Sequence, residues 1–207
     1  MHDASLRPPN LRRSALHVLS GLSVLALIQL VLTPETMVLV AASFTVAAWS
    51  MEITRRRSAA FNRFIMMVFG PVAHPHEVGK VNSATWYTTA LFGLSLTASP
   101  MACAVAVTVL GVGDPAAGVV GRRFGSIRLA TGRSLEGTLA FVVCAGAATF
   151  GMLRLFYPEV ALPAALAVAL VAAAAGGIAE LFARRLDDNF VIPLAAAAAA
   201  TVVAALL

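Results

Sequence analysis

The chain has 207 residues, 59% of them hydrophobic and 12% charged, with a formal net charge of +5 and a mean hydropathy of +0.86. A soluble domain of this length carries about twice that share of charge, so the composition excludes an ordinary water-soluble globule. The apolar runs are continuous rather than alternating, which excludes a transmembrane β-barrel and leaves an α-helical membrane protein.

The expected architecture is all-α: a polytopic integral membrane protein forming a single transmembrane domain over residues 1–207, with an N-terminal tail over residues 1–13. In chain order the apolar runs predict seven spans, Ser14–Leu32, Thr36–Met51, Ser83–Ala98, Met101–Val120, Gly137–Phe156, Val160–Ile178 and Phe190–Leu207. Each approaches the roughly 20 residues a bilayer crossing needs. The first run lacks a small-residue cleavage site with a soluble domain behind it, so it reads as a retained helix rather than a cleaved signal. The alanine-rich stretches Ala161–Ala175 and Ala195–Ala205 read as helices packed through small side chains. No internal repeat supports an inverted-repeat transporter.

The charges test this layout. With the N-terminus in the cytoplasm, every one of the 15 basic residues except Arg154 falls on the cytoplasmic side. They lie in the tail, in Glu52–Asn82, in Gly121–Glu136 and in Ala179–Asn189. Such a bias is the positive-inside rule, and it puts the C-terminus outside. The expected location is the cell's inner membrane, or an organelle membrane, with the active site facing the cytoplasm. The sequence pI near 10.2 is thus topology, and nothing in the pattern predicts a nucleic-acid partner.

The acidic residues concentrate on the same side. All ten except Glu35 and Glu159 lie there or just inside: Asp3, Glu52, Glu77, Asp114, Glu136, Glu180, Asp187 and Asp188. Asp114 sits inside an apolar run, where an ionisable group is costly and marks a site. Gly111 and Gly113 precede it and Pro115 follows, which predicts a helix broken at Asp114, with Asp114 as N-cap of a new half-helix. Ser134 reads as the N-cap of the fifth span with Glu136 in its first turn, and Asp188 or Asn189 as the opening of the seventh. Helix N-termini and arginine forks suit phosphate, and carboxylates suit Mg²⁺ together with phosphate oxygens. The glycines at 121, 125, 132 and 137 let backbone approach a phosphate closely.

Other features read as packing or topology. Arg55–Arg57 flank a span, His17 fits a polar group between helices, and His74 and His76 have no partner cysteines for zinc. Cys103 and Cys144 sit in apolar runs and read as packing residues. There is no P-loop, and Gly111-Val112-Gly113 has no strand before it to make a dinucleotide fingerprint.

The stretch 113–138 resembles the signature of the CTP-dependent lipid kinases, the family of dolichol kinase, phytol kinase and the fungal CTP-dependent diacylglycerol kinase. The family pattern is roughly G-D-x-x-A-x-x-x-G-R-x-F-G, a short gap, then K-S-x-E-G-T. It is matched by Gly113, Asp114, Ala117, Gly121, Arg122, Phe124, Gly125, Ser134, Glu136, Gly137 and Thr138. Arg133 stands where the family has lysine, and Pro115 follows the aspartate where a small residue is usual. Weaker echoes are Arg12-Arg13 before His17, Glu52 with Arg56 and Phe61-Asn62, His76-Glu77 before Gly79, and Asp187-Asp188-Asn189 before Val191 and Pro193. The related phosphatidate cytidylyltransferases carry a Pro-Lys-Lys that this chain lacks.

The resemblance implies transfer of the γ-phosphate of CTP, or of another nucleoside triphosphate, to a membrane-embedded lipid alcohol such as phytol or a polyprenol. It implies Mg²⁺ on Asp114, Glu136 and Asp188, with Asp188 or Glu77 orienting or deprotonating the alcohol. It implies nucleotide contacts from Gly121, Arg122, Gly125, Arg133, Ser134, Gly137, Lys80, Asn189, Arg56 and Asn62. Rival readings are a cytidylyltransferase, a kinase of diacylglycerol or a prenyl phosphate, and a transporter or lipid-binding protein without chemistry. The lipid acceptor, the donor base and the oligomeric state, a homodimer included, are not set by the sequence.

Overall fold

The computed structural model describes residues 11–69, 80–183 and 186–207. Glu77, His74, His76, Arg184 and Arg185 lie outside the described residues. Eight helices form among them: α1 (Leu11–Leu30), α2 (Pro34–Arg57), α3 (Ala59–Phe69), α4 (Ser83–Thr97), α5 (Pro100–Phe124), α6 (Leu135–Phe156), α7 (Leu162–Phe182) and α8 (Asp188–Leu206).

Local sequence explains where they start. Thr33 caps α2 in a reciprocal box with Thr36, and Pro34 occupies the first turn. Asn82 caps α4, Ser99 caps α5 ahead of Pro100, and Ser134 caps α6. α8 opens at Asp188, as expected, and the residue before it, Asp187, supplies the N-cap. With Asp187 as the cap, Asp188 Oδ2 is left to pair elsewhere.

Five of the helices, α2, α5, α6, α7 and α8, are long and apolar enough to cross a membrane. The chain is therefore a multi-pass helical membrane protein embedded in lipid. The other two expected spans form shorter apolar elements: the apolar part of α1 is Ser14–Leu30, and α4 has 15 residues. Residues expected to form only a loop between Glu52 and Asn82 contain α3.

The expected break at Asp114 is not present. α5 runs unbroken from Pro100 to Phe124 with Pro115 inside it. Proline forfeits one backbone hydrogen bond, at a cost of about 3 kcal/mol in a helix interior. Here the helix is the centre of the bundle, packed against α1, α6, α7 and α8, and every residue from Ala102 to Gly111 is buried. That packing keeps the helix continuous through the proline. The glycines serve contact rather than breakage. A Cβ on Gly111 would stand 3.3 Å from the Gly21 Cα of α1, and one on Gly113 would stand 2.6 Å from the Phe141 ring of α6.

Phe141 is the largest wholly buried side chain of the core, among Val105, Val109, Leu153, Val168 and Ile192. The alanines of α7 and α8 let those helices lie close together, with Ala172, Ala173, Ala196 and Ala200 fully buried. The α2–α4 pair joins this core mainly through α8, where Trp86 meets the Phe190 ring at 5.4 Å. Phe141→Ala is expected to destabilise the folded bundle by about 3–5 kcal/mol. The check is a lowered unfolding midpoint in mild detergent; a midpoint equal to wild type would mean that the ring does not organise the core.

Candidate functional site

The end of α5 lies directly on the start of α6. A Cβ on Gly121 would stand 2.8 Å from Ser134 Oγ, one on Gly137 3.0 Å from the Ala117 carbonyl oxygen, and one on Gly125 2.7 Å from the same Ser134 hydroxyl. These three glycines are thus filled by helix contact at their own positions. Between the helices the chain makes a tight hairpin. The Gly132 N–H donates to the Leu129 carbonyl (2.8 Å), the Leu129 N–H to the Arg133 carbonyl (2.9 Å), and the Leu135 N–H to the Ile127 carbonyl (3.0 Å). Gly132, at φ 87°, is the only residue with positive φ among the described residues, and it supplies the turn.

Two side chains, Ser134 and Glu136, hold this hairpin in place. Ser134 Oγ accepts the Gly137 N–H at 3.1 Å, as expected of an N-cap. Glu136 turns back to the loop, where its carboxylate accepts the Ser126 N–H (2.9 Å), the Ile127 N–H (3.1 Å) and the Ser126 hydroxyl. Glu136 is therefore engaged with the loop rather than turned towards Asp114.

The hairpin presents Arg133 to two other helices. Its Nη1 lies 3.0 Å from Glu180 Oε1 on α7, and its Nη2 lies 3.3 Å from Asp188 Oδ2 at the start of α8. Glu180 is 2% exposed, Asp188 is 26% and Arg133 is 40%. Asp114, half-buried on α5, and Asp188 both lie within electrostatic reach of Glu180. Two carboxylates from two helices thus hold one guanidinium, and a third, Asp114, lies near Glu180. Beside them opens a cleft of about 370 Å³ that includes Arg122, Arg128, Arg133, Ser134, Thr138 and Glu180 in its wall.

Asp187 and Asn189 frame the α8 side. Asp187 accepts the Ser83 hydroxyl at 2.9 Å and the Asn189 N–H at 3.0 Å. Burial first, and then the neighbouring Asp188 charge, push the Asp187 carboxyl above the usual carboxylate range. Asn189 is 3% exposed, and its Oδ1 has no hydrogen-bond partner among the described residues. Thr131 Oγ1, in the hairpin, is buried in the same condition. A buried polar atom without a partner costs about 1–3 kcal/mol, so such atoms are rare unless a ligand or water completes them.

Arg56, Asn62 and Lys80 gather elsewhere, around a second ion cluster. Glu52 is 1% exposed and takes Arg55 Nε at 2.7 Å and Arg56 Nε at 2.6 Å. Arg55 donates onward to Asn62 Oδ1 (3.4 Å) and to the Lys80 carbonyl, and the Asn82 N–H donates to Glu52 (3.4 Å). Lys80 thus contributes its backbone here. The two clusters are adjacent in the chain, since Asn82 touches Glu52 and Ser83 touches Asp187.

Glu180 is the member of the site that the sequence analysis did not select. Its signal was the same as that of Asp114, an acid in an apolar helix. The predicted span Val160–Ile178 ended two residues short of it, whereas α7 continues to Phe182. Among the described residues, no group of three or more His, Cys, Asp or Glu side chains is arranged to hold a metal ion by itself. A separate apolar groove of about 410 Å³ lies between α1, α2, α4 and α5, walled by Leu27, Ile28, Met37, Phe44 and Leu91, with Ser20 also in its lining.

No protein-family model matches this chain, and comparison with curated proteins and with solved structures finds no match.

Removing the Glu136 carboxylate should loosen the hairpin and leave the bundle intact. In Glu136→Ala, amide exchange at Ser126 and Ile127 is expected to accelerate by at least about tenfold, because each loses a charge-assisted acceptor. Exchange in the middle of α5 and α6 should be unchanged. Equal protection of Ser126 and Ile127 in mutant and wild type would show that the hairpin is held by other contacts.

Proposed function

We propose that this protein is a membrane lipid kinase that moves the γ-phosphoryl group of CTP to the hydroxyl of a membrane-embedded isoprenoid alcohol. The observation that carries the reading is Arg133, held by Glu180 and Asp188 beside a cleft with Arg122 and Arg128 in its wall. Phosphoryl transfer is mostly positioning and charge neutralisation, and arginines backed by buried carboxylates suit both. The resemblance of Gly113–Thr138 to the CTP-dependent lipid kinases supports the same reading and supplies the donor base.

The residues fit Mg²⁺ in the form it usually takes, one or two protein carboxylates completed by substrate phosphates. Asp114 offers hard oxygen near Glu180, and Asn189 Oδ1 is a buried oxygen without a hydrogen-bond partner among the described residues. Asp114 would hold the ion, which supplies further neutralisation of the phosphate charge. Arg122, Arg128 and Arg133 bind phosphate oxygens, and the first turn of α6 adds the positive end of a helix dipole. Glu180 fixes the Arg133 fork, and Glu136 fixes the hairpin that carries it.

The alcohol oxygen attacks the γ-phosphorus. The bond from that phosphorus to the β–γ bridging oxygen breaks, and CDP leaves with its electron pair. The hydroxyl proton passes to Asp188, a small demand when the transition state is loose. The apolar groove supports a lipid acceptor. Ser20 lines it, Gly21 beside Ser20 touches Gly111, and Gly111 lies about one turn from Asp114. A lipid tail in the groove with its hydroxyl at the Ser20 end would lie a few residues along the bundle from Asp114. In this reading α1 and α4 also cross, giving seven spans, and the arginine-rich end with the active site faces the cytoplasm.

Parallel reactions of the protein in lipid with α-labelled and γ-labelled CTP and Mg²⁺ test the proposal. Label is expected to enter phytol, farnesol or a longer polyprenol from the γ position alone, with CDP as coproduct. Label entering lipid from the α position would replace the kinase by a cytidylyltransferase. No transfer from any nucleotide to these alcohols or to diacylglycerol would leave a binding or transport protein.

Asp114→Asn keeps the size of the side chain and removes its charge. Turnover is expected to fall by at least about a hundredfold, the usual size of losing one transition-state charge contact, with an unchanged unfolding midpoint. Wild-type turnover would remove Asp114 from the site.

A further inference from the structure

α3 is the one helix whose existence neither the span pattern nor the ion clusters require. It begins one residue after α2. Ser58, at φ −126° and ψ 110°, ends α2, and its hydroxyl then accepts the Phe61 N–H at 3.2 Å to start α3. With 11 residues it is about 16 Å long, half of the roughly 30 Å of a hydrocarbon core, so it does not cross.

Its inner face is Phe61, Asn62 and Ile65, of which Ile65 is 7% exposed, and it packs on α2. Its outer face is Ala60, Arg63, Phe64, Met67 and Val68, all exposed and spaced as one helical stripe. Met67 is 77% exposed and Phe64 56%. An exposed row of large apolar side chains marks a surface that something covers.

Three observations identify the cover. The outer face of α2 carries exposed apolar side chains as far as Ile53, and α3 follows α2 after the single residue Ser58. The junction carries Arg56, Arg57 and Arg63, all exposed, while the nearby acid, Glu52, is buried. Arg55 ties the first turn of α3, through Asn62, to the end of α2 and to the Lys80 carbonyl, so the start of the helix is pinned at the level of this charged cluster. Apolar side chains beside a row of arginines, at the charged end of a membrane bundle, match the boundary between acyl chains and headgroups.

We infer that α3 lies in the bilayer interface, with Phe64, Met67 and Val68 in the outer acyl region and Arg56, Arg57 and Arg63 on anionic lipid headgroups. The helix is then a lipid-anchored brace for the end of α2, and so for the Glu52–Arg55 cluster. This rests on the chain spanning a bilayer and not on the kinase reading.

Spin labels placed singly at Phe64, Met67 and Val68 test it. They are introduced as cysteines in a Cys144→Ser background, since Cys144 is exposed and Cys103 buried. The full chain is reconstituted in phosphatidylcholine vesicles with and without phosphatidylglycerol, and collisions with oxygen and with a water-soluble nickel chelate give each label's depth. All three are expected at one shallow depth, roughly 5–10 Å beneath the headgroups. Labels open to nickel, labels shielded from both agents as under a protein partner, or depth rising by about 1.5 Å per residue along the helix would each overturn the inference. The arginines are read separately, from the preference for spin-labelled phosphatidylglycerol over phosphatidylcholine in the lipid shell. Arg57→Gln with Arg63→Gln should lower that preference several-fold. An unchanged preference would remove the headgroup contact from the proposal.

Discussion

Carboxylates at the end of an apolar helix bundle have to be met by a cation, and Arg133 meets two of them at once. Glu180 is nearly sealed from solvent at the end of α7, Asp188 opens α8, and Asp114 of the central helix lies within electrostatic reach of Glu180. A lysine ammonium is a single point, but the guanidinium reaches Glu180 with one nitrogen and Asp188 with the other. The arginine therefore fixes where the α5–α6 hairpin sits relative to α7 and α8. The hairpin's own devices exist to deliver it. Gly132 turns the chain, Glu136 pins Ser126 and Ile127, and Gly121, Gly125 and Gly137 let α6 begin on the surface of α5.

Ion pairs of this kind contribute little net stability, because removing the charges from water opposes their attraction. Arg133 keeps 40% of its side chain exposed, which weakens the pair further and leaves the guanidinium reachable from the cleft. Stability comes instead from Phe141 and the close alanine packing of α7 and α8. The division is clean: apolar packing holds the helices together, and the charged end sets their register. The Glu52–Arg55 pair does for α2 and α4 what Arg133 does for α6, α7 and α8.

Helix positions were legible in the sequence because apolar runs and caps are local. Ser134 announced itself as an N-cap, and the structure places it there. The break at Asp114 was misread because glycine and proline are ambiguous locally. Gly111 and Gly113 weaken an isolated helix, yet in the bundle a Cβ on Gly113 would collide with the Phe141 ring and one on Gly111 would crowd Gly21. Tertiary packing outweighed propensity, and only the neighbours could reveal that. Glu180 was missed for a related reason. A hydropathy boundary falls where the average drops, and the acid itself lowers the average that would have kept it inside α7. α3 was hidden because two arginine-bearing stretches, Arg55–Arg57 and Arg63, surround its start and read as flanking charge.

The two ends of the bundle make the final contrast. At the end opposite the clusters, polar contacts are few and simple: Gln29 donates to the Tyr157 hydroxyl at 3.0 Å, and Arg154 donates to the Val160 carbonyl at 2.9 Å. Those bonds close helix ends without bringing acids together. Burying Glu52 and Glu180, with Asp187 largely enclosed, is unnecessary for a helix bundle, since neutral caps serve as well and carry no desolvation cost. Acids kept at one end, each backed by an arginine or a hydroxyl, with Asn189 Oδ1 lacking a hydrogen-bond partner among the described residues, carry a desolvation cost that packing alone does not require. On the proposed reading, the arginines in the cleft wall would meet phosphate and the carboxylates beside them its cation.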